Sequence, residues 1–81
     1  MVVNEETAVE AHFDVAGEIT PRRFAWRGRM LAVEGVGRRW RREGERHFMV
    51  MAAGGQPFEL RLDEQALRWW VVRAPAPRLA A

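Results

Sequence analysis

Gly54-Gly55-Gln56-Pro57-Phe58-Glu59-Leu60-Arg61-Leu62-Asp63 decides the fold class. Phe58, Leu60 and Leu62 fall on one side, and Glu59, Arg61 and Asp63 on the other. Alternation with period two is the pattern of a strand with one dry face. Gly54-Gly55 marks a turn before it. Pro57 suits the first position of a strand, where a missing N–H matters least.

Working outward, the same grammar repeats. Asp63–Ala66 reads as a turn, and Leu67–Arg73 as a last strand with Leu67, Trp69 and Val71 opposite Arg68, Trp70 and Val72. On the N-terminal side, His47–Ala52 has Phe48 and Val50 on one face and Met49 and Met51 on the other, which implies a central or covered strand. Arg42–Arg46 is a polar turn. Arg22–Glu34 reads as a hairpin around Arg27-Gly28, glycine being free to adopt positive φ. Gly35-Val36-Gly37 predicts a bulge or bend of the kind small barrels need to close, after which Arg38–Arg41 continues extended. Val9, Ala11, Phe13 and Val15 alternate with Glu10, His12 and Asp14 as one more strand, and residues 17–21 carry the chain onward. No amphipathic helix emerges. The expectation is an all-β, meander-like fold of five or six short antiparallel strands, forming a small β-barrel or strongly curved sheet. Residues 9–73 form the single domain, with a loose segment at 1–8 and a flexible Ala/Pro tail at 74–81.

The chain has 81 residues, enough for one domain. Four tryptophans and four phenylalanines offset the small size, since each aromatic removes roughly 150–250 Å² from water. With no cysteine there is neither a disulfide framework nor a thiolate metal site. No apolar run is long enough to span a bilayer, and the acidic N-terminus does not match a signal peptide. The expected location is cytoplasmic.

Charge is unevenly placed. All 13 basic residues are arginine, and the net charge is only +2. Residues 1–20 carry net −5, residues 21–42 net +7 and residues 43–81 net 0. The basic stretch RRFAWRGRMLAVEGVGRRWRR, 22–42, also contains Trp26 and Trp40. Guanidinium groups match phosphate oxygens in pairs, and exposed aromatics offer bases a stacking surface. The candidate nucleic-acid-binding set is Arg27, Arg29, Arg38, Arg39, Trp40, Arg41 and Arg42, with Arg22 and Arg23 behind it. Two readings of Trp40 stay open: an exposed platform, or a core residue whose flanking arginines pair with Glu10, Asp14 or Glu18.

Other chemistry finds little support. The chain lacks serine, cysteine, lysine and tyrosine, so the common nucleophiles and bases are missing. Thr7 and Thr20 fall in segments expected to be flexible. Asp63-Glu64 is a solvated pair in a turn, and Gly54-Gly55 has no following helix with which to cradle a phosphate. His12, His47 and Asp14 show no metal-binding spacing, so both histidines read as surface residues. No catalytic residue, metal, cofactor or small-molecule substrate is expected. A second binding candidate is the apolar face of Met49, Met51, Trp70 and Val72, suited to a protein partner or a twin subunit if it lies outside the sheet.

FAWRGRMLAVEGVGRRWRR followed by HFMVMAAGGQPFELRLDEQALRWWVV resembles a group of small uncharacterised bacterial domains. Phe24, Trp26–Arg29, Trp40, Gly55, Phe58–Leu60, Asp63 and Trp70–Arg73 carry the resemblance, which covers residues 22–73. It implies a small β domain. Some members of that group are associated in actinobacteria with translesion DNA polymerase genes, which implies a link to DNA damage tolerance but no established activity. This chain departs from the group in having few acids or aromatics in the Arg41–Arg46 turn. The two functional expectations are therefore accessory binding of DNA or RNA by the Arg/Trp surface, and protein interaction or self-assembly through an apolar sheet face.

Overall fold

Alternation becomes pairing along nearly the whole chain. The computed structural model describes residues 1–77. Its strands are β1 (Val2–Thr7), β2 (Val9–Phe13), β3 (Ile19–Trp26), β4 (Arg29–Arg42), β5 (Glu45–Ala52), β6 (Gln56–Asp63) and β7 (Arg68–Arg73). They form one antiparallel sheet in the order β1-β7-β6-β5-β4-β3-β2, curled into a half-barrel. The expected curved all-β meander is thus observed, with seven strands rather than five or six.

The additional strand comes from the N-terminus. Residues 1–8 were expected to be loose, but Val2–Thr7 pairs with β7 from Val2↔Arg73 to Thr7↔Trp69. Without it β7 would present a row of unmet backbone groups. Only Ala8 separates β1 from β2, so one length of chain pairs with β7 through its first half and with β3 through its second. The Ala25 N–H donates to the Ala8 carbonyl at 2.9 Å, and the Thr7 hydroxyl donates to the Ala25 carbonyl. The two ends of the strand order are thereby held together. Ala74 is buried, and its N–H donates to the Met1 carbonyl, so the expected tail is tied down at its start. Residues 78–81 of that tail lie outside the described residues.

Inside the curl sit Phe24, Phe48, Val50, Phe58, Leu60, Leu62, Trp69 and Val71, the residues that alternation aims inward. Phe58 is the centre of an aromatic cluster, with edge-on contacts to Phe24 at 5.0 Å and Trp26 at 5.4 Å between ring centroids. Phe13 departs from the pattern: it is 57% exposed, although its cross-strand partner Ile19 is buried.

Turn chemistry matches turn geometry. Arg27 and Gly28 both have positive φ, 46° and 85°, in a two-residue loop closing Trp26↔Arg29. Glu43 and Gly44 repeat this at 51° and 78° between Arg42 and Glu45. These primed turns follow the natural twist of paired strands. The Asp63 side chain accepts from the backbone N–H groups of Gln65 and Ala66 and so shapes the turn into β7.

One gap matters for function. β3 pairs with β4 only through Arg23–Trp26 against Arg29–Ala32. Beyond Ala32, among the described residues, β4 has its ladder partner on β5 alone. The two strands part there, and a cleft opens between the Ala16–Ile19 segment and the far end of β4.

Candidate nucleic-acid interface

The bend in β4 determines which way its side chains face. Val33 stands opposite Ala52, Gly35 opposite Met51, Val36 opposite Val50 and Arg39 opposite Phe48. Twice, between Val33 and Gly35 and between Val36 and Arg39, β4 spends one residue more than β5. Each such bulge resets the alternation. Val33 and Val36 therefore both pack on the core, although three residues apart. After the second bulge Arg39 and Arg41 share the inward side with Phe48, while Trp40 and Arg42 share the outward side with His47 and Glu45.

The basic cluster is consequently split by face. On the inward side Arg39 lies 3.8 Å from Glu18 and Arg41 3.4 Å from Glu64. Arg46, directly opposite Arg41, lies 3.2 Å from the same Glu64 and donates to the Gly17 carbonyl at 3.1 Å. Gly17, Glu18, Arg39, Arg41 and Arg46 line the cleft where β3 and β4 part, and Glu64 meets two of these arginines from the β6–β7 turn.

On the outward side the Trp40 indole stacks on the His47 ring, 5.1 Å between centroids and 13° between planes. The Arg38 guanidinium lies over the same indole at 4.9 Å. His47 Nδ1 is 3.1 Å from Glu59 Oε2, and Arg73 Nε is 3.4 Å from Glu59 Oε1. Glu59, only 8% exposed, is thus a buried carboxylate bracing the ring beneath Trp40. The register continues the row from His47 to Arg61 and on to Trp70. Arg61 lies 4.5 Å and Arg68 5.6 Å from the Trp70 ring. The outer face therefore carries a line of π surfaces and guanidiniums across four strands. Arg38 and Arg42 have no ion-pair partner among the described residues.

The two remaining site arginines lie elsewhere. Arg27 and Arg29 flank the β3–β4 turn, some ten residues up the strand from Arg39, or about 30 Å at strand rise. Arg27 is bonded to Glu5 at 2.9 Å, which raises its pKa further, and covers the Trp26 ring at 4.5 Å. Arg23 pairs with Glu10 at 3.5 Å. The acidic N-terminal strands thus pair with Arg23 and Arg27 and leave Arg22 and Arg29 without a carboxylate among the described residues, and the seven site residues form two separate groups.

His47 was expected at the surface but is largely enclosed, because Trp40 covers it and Glu59 binds it. Alternation places Glu59 on the polar face of its strand, yet it is buried. Neither role is visible before the strand register is known, since both arise from cross-strand neighbours. His12 is exposed, and no group of three metal-binding side chains occurs among the described residues. On the second candidate face Met51 is exposed and Met49, Trp70 and Val72 are half-buried. No helix among the described residues is long and apolar enough to cross a membrane.

The family model of a domain of unknown function, DUF6504, matches residues 2–76. No curated protein and no solved structure matches the chain.

Proposed function

We propose that this chain, which belongs to the DUF6504 family of domains of unknown function, is a non-catalytic accessory module that binds nucleic acid on the outer face of β4–β7. One observation carries the reading: half-buried Trp40 rests on an enclosed His47, with unpaired Arg38 and Arg42 on either side in the strand. A ring supported from below presents a pre-organised stacking surface. Arg38 is held over it by no carboxylate, so it can swing to a phosphate and leave the ring to a base. Unpaired bases suit such a surface best, since each contributes roughly 1–3 kcal/mol by stacking. The resemblance to domains found beside translesion polymerase genes makes DNA in the cytoplasm the favoured ligand.

Inward Arg39 and Arg41 each lie beside a carboxylate, so Trp40, Arg38 and Arg42 make the contacts to the body of the strand. Two neutralised phosphates give a slope of roughly −1.4 in log affinity against log salt for a single strand. The test is a fluorescence titration with single-stranded and duplex DNA at two salt concentrations. Salt-sensitive binding that favours the single strand is expected; no binding at low salt ends the proposal.

A second reading draws on a different observation. Gly35, Val36, Gly37, Met49, Met51 and Pro57 line a shallow apolar groove, and Met51 is 45% exposed. Such a groove suits a protein partner or a second copy of the chain. Light scattering distinguishes the two readings: a dimer lost in Met51→Glu favours the groove, and a monomer that binds DNA favours the Trp40 face.

A further inference from the structure

We infer that the cleft between β3 and β4 seats a terminal phosphate of the bound strand, gripped by Arg41 and Arg46, with Glu64 occupying the phosphate position in the free protein. The inference rests on the nucleic-acid reading and specifies which part of the strand enters the cleft.

Several features of the cleft exceed what the fold requires. Arg41 and Arg46 are direct cross-strand neighbours on the inward side, and like charges so placed oppose folding. A single carboxylate, Glu64, lies between them, 3.4 Å from one and 3.2 Å from the other. Arg39 adds a third guanidinium, and its carboxylate neighbour Glu18 stands at 3.8 Å, too far for a hydrogen bond. Three cations therefore face two carboxylates, and the cleft retains a positive charge. Arg46 Nε is enclosed with no hydrogen-bond acceptor, since Glu64 is near but poorly aligned. An enclosed, unmet donor on a cation is costly, and a tetrahedral anion with three oxygens can meet it.

Shape and position agree. The cleft holds about 310 Å³, and Trp40 and His47 contribute to its wall. Trp40, on which a base would stack, itself borders the opening. Glu64 sits in the β6–β7 turn and is partly exposed, so it can yield to an incoming group. A terminal phosphate carries about −1.5 to −2 at pH 7, against one charge on an internal phosphodiester. The doubly charged end matches the paired guanidiniums better, as charge-assisted bonds do.

The test compares one short single-stranded DNA in three forms: 5′-phosphorylated, 3′-phosphorylated and with hydroxyls at both ends. The expected result is that one phosphorylated form binds about tenfold more tightly than the hydroxyl form. Arg46→Gln and Arg41→Gln should abolish that preference. Glu64→Gln should enlarge it. In the unaltered protein the Arg46 Nε–H resonance should move with the preferred strand and stay with the hydroxyl form, a reading that needs no variant to fold. Equal binding of all three forms overturns this inference and leaves the Trp40 face standing. Binding of none overturns both.

Discussion

The two ends of β4 are compositional twins that became different structures. WRGR, residues 26–29, and RRWRR, residues 38–42, each place a tryptophan among arginines. At the first, Trp26 packs its ring against Phe58 and the core, and Arg27 is locked to Glu5. At the second, Trp40 faces outward onto His47, and its flanking Arg38 and Arg42 are without carboxylates. Two bulges between the ends account for the difference, because each shifts the alternation. The acidic N-terminal segment accounts for the rest: Glu5 bonds Arg27 at the first end, whereas Glu18 meets only inward-facing Arg39 at the second. Composition identifies an arginine-tryptophan surface, but strand parity decides which half of it faces solvent.

Core loss should separate the ends most sharply. Phe58→Ala removes the ring against which Trp26 and Phe24 pack, and should cost about 3–5 kcal/mol. Trp40→Ala should cost about 1 kcal/mol, being a half-exposed contact on the outer face. Urea denaturation measures both, and equal costs would erase the contrast.

The support under Trp40 comes next. Glu59→Ala leaves His47 and Arg73 without their buried acceptor and should destabilise by about 1–3 kcal/mol. It should also weaken DNA binding, because the ring under Trp40 is no longer fixed. A stable variant with unchanged binding would show that His47 needs no brace.

Glycines at the two ends should respond differently. Gly28 sits at φ 85°, where an added Cβ is strained whatever the space, so Gly28→Ala should cost about 1 kcal/mol. Gly37 has no positive φ, and a Cβ there would meet only the Met49 carbonyl at 3.7 Å. Gly37→Ala should stay within about 0.5 kcal/mol. Thermal melts of the pair test this.

The smallest effect is electrostatic. Arg68, hydrogen-bonded to Glu6 at 2.8 Å, holds that carboxyl below its usual pKa. Folded Glu6 thus takes up a proton less readily than unfolded Glu6. The pair's contribution is present above the ordinary carboxylate range and is lost as pH falls through that range toward the folded value. The stability advantage over Glu6→Gln should therefore be slight at pH 7, since the pair is exposed, and should vanish in acid. An advantage that grows as pH falls would contradict the assignment.

Much of this architecture was legible from local pattern. Phe58, Leu60 and Leu62 point inward as their spacing predicts, Arg27-Gly28 is a two-residue turn, and Gly35-Val36-Gly37 bends its strand. What escaped was non-local. Nothing in Val2–Thr7 announces a strand, because its partner β7 lies more than sixty residues away. The enclosure of His47 and Glu59 depends on two hairpin registers acting together. The division of Arg38–Arg42 between two faces depends on where each bulge inserts its extra residue. The glycines flag those bulges without fixing them.

The central claim, that Trp40 and its unpaired arginines form the binding surface, meets its most direct test in a paired titration. A fluorescently labelled single-stranded DNA is titrated with the unaltered chain, with Trp40→Ala and with the double variant Arg27→Gln, Arg29→Gln at low salt. Loss of roughly 1–3 kcal/mol of affinity is expected for Trp40→Ala, with binding nearly unchanged in the double variant. Full binding by Trp40→Ala, or a larger loss in the double variant, would contradict the account.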